Sequence, residues 1–211
     1  MDAASWDERY RSTGLVWSAG PNASVVEEVE ALLVRRGGET GRALDLAGGE
    51  GRNALWFAEQ GWAAELVEFS AVALEKAAAI AAQRGVTLRT TLADMTEAPA
   101  IDPADLVLLC YLQLTPEPLA RALAHAATLV APGGTLLLIA HERDILEHGY
   151  GGPPDPTFLP PVADVLDAVD GRGLVVERAE QVRRPVETDE GPREAIDLIV
   201  RASRPAQDPA E

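Results

Sequence analysis

The feature that most constrains the fold is an alternation of short apolar runs with segments of helical periodicity. Strand-length apolar runs lie at 42–47, 63–69, 86–93, 104–111 and 135–140. Helical patterns lie at 24–36, where Ser24 is the expected N-cap, and at 52–60, 71–84 and 115–129. Strands that alternate with helices form parallel sheets, because each crossover brings the chain back to the same end of the sheet. The pattern therefore predicts an α/β fold.

The end of the chain has a different pattern. A short helix is expected at 162–170, and the runs 174–182 and 194–202 both alternate between apolar and polar residues. Alternation is typical of half-buried strands, so these runs are expected to form an antiparallel pair at a sheet edge. The chain of 211 residues is then one doubly wound domain, spanning 24–202, with a frayed tail at 203–211.

Charge and cysteine content limit the partners. Eighteen Lys and Arg residues stand against 34 Asp and Glu residues, which gives a net charge of −16. Nucleic acids and anionic membranes are bound through clustered basic residues, so neither is expected as a partner. The one cysteine cannot form an intramolecular disulfide, and the polar N-terminus does not resemble a signal peptide. A cytoplasmic location is therefore expected.

The sharpest local motif is the glycine-rich segment 45–53, between the first strand and the first crossover helix. Ligands of open parallel sheets bind at the carboxyl ends of the strands, and glycine lets the backbone approach them closely. The spacing Gly49-x-Gly51-x-x-Ala54 also fits a dinucleotide fingerprint. Taken alone, the segment fits a dinucleotide, another nucleoside cofactor or a turn that binds nothing.

An acidic residue ends each of the first three strands. Asp45 is suited to an ammonium group, Glu68 to two ribose hydroxyls, and Asp94 to an exocyclic adenine amine. Together these acids would hold a nucleoside joined to an amino acid. They would repel the charge of a pyrophosphate.

These residues give the chain a resemblance to the class I S-adenosylmethionine-dependent methyltransferases. The D-x-G-x-G-x-G loop of that family maps on Asp45, Ala47, Gly49 and Gly51. Its acids after the second and third strands map on Glu68 and Asp94, and the turn 132–134 before the fifth strand is also similar. Ala47 departs from the pattern, because the family has glycine there.

A narrower resemblance is to the small bacterial group that contains tellurite-resistance and thiopurine methyltransferases. It rests on Trp6-x-Glu8-Arg9-Tyr10, Trp17, Pro21-Asn22 and the segment 49–54. The resemblance implies a Rossmann-like, seven-stranded, mostly parallel sheet with an antiparallel last strand, and a flap formed by residues 1–23. It implies S-adenosylmethionine as the cofactor. The expected cofactor-binding residues are Asp45, Ala47, Gly48, Gly49, Gly51, Asn53, Glu68, Phe69, Ser70, Asp94, Met95 and Cys110.

Acceptor-binding residues are expected in the flap and after the fourth and fifth strands. The candidates are Trp6, Arg9, Tyr10, Trp17, Gln113 and Arg143. His141 and Tyr111 are the candidate catalytic residues, with His141 as the base. Each has a structural alternative: Trp6 and Tyr10 as helix packing, Arg9 as a surface ion pair, and His141 as a hydrogen-bonded side chain. Cys110 is expected to be a buried apolar residue rather than a nucleophile.

The predicted function is methyl transfer from S-adenosylmethionine to a small-molecule acceptor by a monomer or homodimer without a metal. Two alternatives stay open: an NAD(P)-dependent oxidoreductase and a non-catalytic S-adenosylmethionine-binding module. The first is disfavoured because the one lysine, Lys76, is expected in a helix away from any hydride site. The Gly- and Pro-rich segment 145–161 is either a mobile lid or an ordered surface excursion.

Overall fold

A computed structural model describes residues 2–12 and 14–207. The strands are β1 (Arg42–Leu46), β2 (Ala63–Glu68), β3 (Arg89–Leu92), β4 (Ala104–Cys110), β5 (Val130–His141), β6 (Val175–Thr188) and β7 (Gly191–Ser203). The helices are α1 (Ala3–Arg11), α2 (Ala23–Arg35), α3 (Arg52–Glu59), α4 (Ala71–Arg84), α5 (Pro116–Thr128), α6 (Ile145–His148) and α7 (Val162–Val169). Positions 1, 13 and 208–211, parts of the predicted flap and tail, lie outside the described residues.

The strands form one sheet in the order β3-β2-β1-β4-β5-β7-β6. Strands β1 to β5 are parallel, and β7 lies antiparallel between β5 and β6. The predicted doubly wound, mostly parallel α/β sheet is confirmed. From β1 the chain first builds outward through β2 and β3, and then returns to the other side of β1 with β4. The topology therefore reverses between β1 and β4, where open sheets of this class bind ligands.

Helices cover both faces of the sheet. On one face α5 and α7 pack through Leu119, Leu123 and Val165. On the other face α2 and α3 pack through apolar residues that include Val29 and Phe57. Because both faces of the central strands are covered, their side chains are apolar in succession rather than alternating.

The last two strands are longer than the sequence predicts. Residues 183–193 were expected to form a connection, but β6 and β7 pair continuously up to Thr188 and Gly191. The reason is that β6 is an edge strand, so its outer residues are solvated and carry no apolar signal. The pair forms one long hairpin, which brings β7 beside β5.

Two further expectations were wrong in detail. Asn22 caps α2 in place of Ser24, because the Asn22 side chain accepts a hydrogen bond from the Val25 amide at 3.1 Å. The segment 132–134 is an irregularity inside β5 rather than a turn before it, and there the register with β4 jumps several residues. Strand β3 is shorter than predicted, and the other boundaries shift by one or two residues, as expected for strand and helix ends.

The Gly- and Pro-rich segment after β5 is anchored at two points. Ile145 and Leu159 are buried and pack with Ala195 and Ile196 of β7.

Within residues 2–12 and 14–207, no helix is long and apolar enough to cross a membrane.

Candidate active site

Asp45 lies near the carboxyl end of β1, at the point where the sheet topology reverses. It is fully buried, and its Oδ2 accepts a hydrogen bond from the Ala54 amide at 3.1 Å. Its Oδ1 is buried without a hydrogen-bond partner among the described residues. Burial raises the pKa of Asp45 to about 7, against the hydrogen bond from Ala54 and the charge of Arg52. A buried carboxylate oxygen without a donor fits a cationic ligand group.

The loop after β1 folds directly over this carboxyl group. A Cβ on Gly48 would lie 2.6 Å from the Asp45 carboxyl carbon, so only glycine fits there. Ala47 has a φ of +53°, a left-handed conformation that costs a non-glycine residue about 1 kcal/mol. The departure from glycine at Ala47 therefore keeps the loop geometry. Gly51 is the residue before α3, and Asn53 in its first turn accepts from the Asn22 amide at 3.0 Å.

Glu68 ends β2 beside the same loop. Its two carboxylate oxygens accept hydrogen bonds from the amides of Gly49 and Ser70, each at 3.0 Å. Burial raises its pKa, although the backbone hydrogen bonds oppose the shift. Each carboxylate oxygen can accept a second hydrogen bond, so Glu68 has capacity for two hydroxyl donors. Phe69 follows it half-buried, and Ser70 caps α4.

The other predicted cofactor residues lie shortly after β3 and at the end of β4. Asp94 is exposed, and its Oδ1 accepts from the amide and hydroxyl of Thr96, both at 2.8 Å. Met95 is buried behind it. Cys110 ends β4, and burial raises its pKa to about 12. At neutral pH the Cys110 thiol is therefore protonated and a poor nucleophile.

Helix α1 and the segment 14–17 lie over the glycine-rich loop. Tyr10 is buried, and its hydroxyl lies 2.8 Å from where a Cβ on Gly49 would be. Trp6 stacks on Tyr10 with ring centroids 5.4 Å apart. The Arg9 guanidinium lies 5.0 Å from the ring centroid of Trp6 and 5.4 Å from that of Trp17. The four predicted flap residues thus form one aromatic cluster against the loop.

Glu50, a loop residue that the sequence analysis did not select, holds this cluster in place. It is buried, and its Oε2 accepts hydrogen bonds from the amides of Val16 at 2.9 Å and Trp17 at 3.3 Å. Its Oε1 forms an ion pair with Lys76 of α4 at 2.9 Å. One carboxylate thereby joins the segment 14–17, the loop and α4.

We expect Glu50→Ala to lower the free energy of unfolding by about 2 kcal/mol, because two amides lose a charged acceptor. It should also weaken S-adenosylhomocysteine binding, since the flap loses its link to the loop. Urea denaturation and calorimetry measure the two effects. Glu59→Ala is the matched control, because it removes an ion pair with Arg84 in which the Glu59 side chain is 35% exposed. It should have little effect on stability or on binding. Equal losses in both variants would contradict this role of Glu50.

The candidate catalytic residues meet at the ends of β4 and β5. Tyr111 directly follows β4, with a φ of +58°, and its ring stacks on His141 with centroids 4.3 Å apart. Both side chains contact Asp197 of β7, which is fully buried. Arg184 of β6 forms an ion pair with Asp197 at 2.7 Å.

Neither Asp197 nor Arg184 was predicted from the sequence as a site residue. The one available signal for Asp197 was an acid inside an otherwise apolar strand run, because such a residue is buried and needs partners. Asn22 was also not assigned a role, although it links α2 to Tyr111. It caps α2, and its side-chain amide donates a hydrogen bond to the Tyr111 hydroxyl at 3.1 Å.

The remaining acceptor candidates do not join this group. Gln113 is half-buried beyond β4, and Arg143 is exposed. Arg143 lines a cavity of about 560 Å³ between α5, α7 and the segment 157–161. That cavity adjoins the α5 face of the sheet, and none of the other predicted site residues lines it.

Part of the chain matches a known protein family. Residues 43–134 match a family model described as a methyltransferase domain. That range begins in β1 and ends in β5, so it contains the loop and all three strand-end acids. No curated protein matches the sequence.

Solved structures of similar fold share little sequence with the chain. TehB from Haemophilus influenzae is 15% identical with a TM-score of 0.69, covering 96% of this chain and 66% of that one. Magnesium protoporphyrin IX methyltransferase from Synechocystis PCC 6803, with bound S-adenosylhomocysteine, is 17% identical with a TM-score of 0.68, covering 95% and 93%. A structure concerning conversion of a disulfide bond into a thioacetal group during echinomycin biosynthesis is 19% identical with a TM-score of 0.76, covering 99% and 93%.

At these identities the solved structures establish the fold alone, and the matched model covers the loop and the strand-end acids but neither His141 nor Asp197. The chain therefore has the fold of S-adenosylmethionine-dependent methyltransferases, and its residues 43–134 match a methyltransferase domain.

Proposed function

We propose that the protein transfers a methyl group from S-adenosylmethionine to a small-molecule acceptor. The observation that carries the proposal is the Oδ1 of Asp45, which is buried under the glycine-rich loop and has no hydrogen-bond partner in residues 2–12 and 14–207. In this proposal it accepts the cofactor ammonium, while Glu68 accepts the ribose hydroxyls and Asp94 the adenine amine. When bound, the cofactor supplies an electrophilic methyl group on a sulfonium, and the protein supplies orientation and exclusion of water.

The other predicted cofactor residues have roles that follow from their positions. Ala47, Gly48, Gly49 and Gly51 bring the backbone close to the methionine portion of the cofactor. Asn53, Phe69, Ser70, Met95 and Cys110 line its flanks. Residues 1–23 act as a flap that covers the cofactor and the acceptor, with Trp6, Arg9, Tyr10 and Trp17 as its contact residues.

The acceptor is small in this proposal because the described residues outside the sheet and its covering helices form only short segments. The described strands and helices from α2 onward build the sheet and its two covering layers. The flap and the loops after β4 and β5, including Gln113 and Arg143, remain to contact the acceptor. We place the protein in the cytoplasm as a monomer or homodimer, with no nucleic-acid or membrane partner at a net charge of −16.

Thermal denaturation with candidate cofactors tests this function against a dinucleotide-dependent one. S-adenosylhomocysteine should raise the melting temperature in a concentration-dependent way, because it binds the folded chain alone. NADP should not, because the acids at the strand ends repel its phosphates. A rise in the melting temperature with NADP and none with S-adenosylhomocysteine would contradict the proposal. The one lysine, Lys76, pairs with Glu50 and does not supply a hydride site.

We expect cofactor binding to release protons below pH 7. The pKa of Asp45 is raised to about 7, so at pH 6 most of the free protein carries a proton on Asp45. The ammonium favours the ionised carboxylate, and this proton must leave when the ligand binds. Affinity for S-adenosylhomocysteine should therefore be about tenfold lower at pH 6 than at pH 8.

Calorimetric titration in buffers of different ionisation enthalpy counts the released protons. Close to one proton should leave at pH 6 and almost none at pH 8.5, on the order expected for one shifted carboxyl group. Asp45→Asn should abolish the difference in proton release between pH 6 and pH 8.5. Any protons released by Glu68 should still be counted in this variant. An unchanged proton count at the two pH values would rule out Asp45 as the ammonium partner.

A further inference from the structure

Asp197 and His141 are paired directly across the sheet. His141 at the end of β5 faces Asp197 of β7 in the strand register, and its Nδ1 lies 3.0 Å from the Asp197 Oδ1. Asp197 is fully buried, whereas the His141 side chain keeps 16% of its surface exposed. A carboxylate placed behind an imidazole in this way can set which ring nitrogen carries the proton.

Asp197 is an ionised hydrogen-bond acceptor. Its Oδ2 accepts from the Tyr111 hydroxyl and from the Arg184 Nε, both at 2.7 Å. Burial opposes the ionisation of Asp197, but the hydrogen bonds from His141, Arg184 and Tyr111 outweigh it and lower its pKa. An ionised carboxylate only accepts, so the Nδ1 that faces it must be protonated. Neutral His141 therefore has its lone pair on Nε2.

The ring of His141 is in close contact with two neighbours. Tyr111 stacks on it at 26° between the ring planes, and a Cβ on Gly152 would lie 3.3 Å from its Cδ2. Within residues 2–12 and 14–207 no hydrogen bond reaches Nε2. The charged groups around this pair are Arg184 of β6, bonded to Asp197, and Arg52 of α3, which lies 5.9 Å from the Tyr111 ring centroid.

We propose that Asp197 is a positioning residue that holds His141 with Nε2 ready to accept a proton, and that the methyl acceptor is a hydroxyl or an amine. This inference rests on the proposed methyltransferase function. A thiolate or another nucleophile that is already deprotonated would need no such base, whereas an alcohol or amine benefits from one.

The proposed reaction couples loss of the acceptor proton to transfer of the methyl group. The O–H or N–H bond of the acceptor breaks, and its proton moves to Nε2 of His141. The acceptor heteroatom uses an electron pair to bond the methyl carbon, and the carbon–sulfur bonding pair returns to sulfur, which leaves S-adenosylhomocysteine. The imidazolium formed on His141 is stabilised by Asp197 and then loses its proton to solvent.

Nitrogen NMR of the full-length chain labelled with ¹⁵N-histidine tests the role of Asp197. At pH 8 His141 should be the Nδ1–H tautomer in the wild type, and Asp197→Asn should move the proton to Nε2. His125 and His148 are internal controls, and His141→Gln assigns the signal. Tyr111→Phe keeps the contact between His141 and Asp197 and should leave the tautomer unchanged.

A wild-type His141 with its proton on Nε2 would overturn the proposal. That result does not require a folded Asp197→Asn variant, so the test survives if this substitution prevents folding. Calorimetry with S-adenosylhomocysteine on the same samples separates a failure of the proposed function from a failure of the role of Asp197. Failure of the wild type to bind it overturns the proposed function, whereas binding with the wrong tautomer overturns only the role of Asp197.

Turnover with probe acceptors tests the acceptor class. The probes are phenols, primary alcohols, amines and thiols of matched size, and the readout is formation of S-adenosylhomocysteine. Asp197→Asn should lower kcat for hydroxyl or amine probes about 100-fold and leave thiols little changed. His141→Gln should behave in the same way. No turnover of any hydroxyl or amine probe, or turnover of thiols alone, would overturn the acceptor class.

Discussion

Replacing Asp45 with asparagine should weaken S-adenosylhomocysteine binding about 100-fold, since hydrogen bonds to charged groups contribute about 1.5–3 kcal/mol. The substitution is nearly isosteric, so Gly48 still fits over the side chain. What is lost is the negative charge at the buried, partnerless Oδ1. Isothermal titration calorimetry at pH 8 measures the change directly.

The same variant should be more stable than the wild type in the absence of ligand. The pKa of Asp45 is raised to about 7 in the folded chain from an ordinary value of 3.8. The folded chain therefore keeps this proton where the unfolded chain has released it, and stability falls as the pH rises from about 4 to 7. Asp45→Asn removes that loss, so its melting temperature should exceed that of the wild type at pH 8 and match it near pH 4.

Asp167→Asn is the matched control for charge, because it removes one carboxylate from an exposed position on α7. It should change neither affinity nor stability appreciably. Two results would contradict the assignment of Asp45 as a binding residue whose burial lowers the stability of the fold. They are a lower stability of Asp45→Asn at pH 8 and an unchanged affinity for S-adenosylhomocysteine.

Glu28→Ala should lower the free energy of unfolding by about 3 kcal/mol, the lower end for removing one partner of a buried ion pair. Glu28 of α2 is 3% exposed and accepts hydrogen bonds from Arg178 of β6 and Arg201 of β7. Without it, two guanidinium groups face each other across a partly buried gap. For a chain of this length we expect a fall in melting temperature on the order of 6–12 °C.

Glu180→Ala provides a matched comparison, because Glu180 also pairs with Arg178, at 2.6 Å, but is 55% exposed. Exposed pairs contribute about 0–1 kcal/mol, so the melting temperature should hardly change. Similar losses in the two variants would contradict the view that Glu28 joins α2 to the hairpin. That link also matters for the site, since Asn22 at the start of α2 contacts Tyr111.

The residues proposed to bind the cofactor could be selected from the sequence because they lie at strand ends in one local pattern. Asp45, Glu68 and Asp94 each follow an apolar run, and parallel strands bring their carboxyl ends to one edge of the sheet. The glycine spacing and the α/β alternation are similarly local. The fold class and the resemblance to methyltransferases could therefore be identified before any contact was known.

The acceptor side depends on contacts between residues distant in the chain. Tyr111 and Asp197 are 86 residues apart, and their contact follows from the insertion of β7 between β5 and β6. No local periodicity encodes that placement. Glu50 was overlooked for a related reason: an acid between two glycines resembles a solvated loop residue until the amides of Val16 and Trp17 are seen to donate to it.

The most direct test of the central claim is a crystal structure of the protein with S-adenosylhomocysteine. The proposal predicts the ligand amino group within hydrogen-bond distance of the Asp45 Oδ1, with the ribose hydroxyls on Glu68. A complex in which the amino group contacts neither oxygen of Asp45, or in which the ligand lies away from the glycine-rich loop, would contradict it.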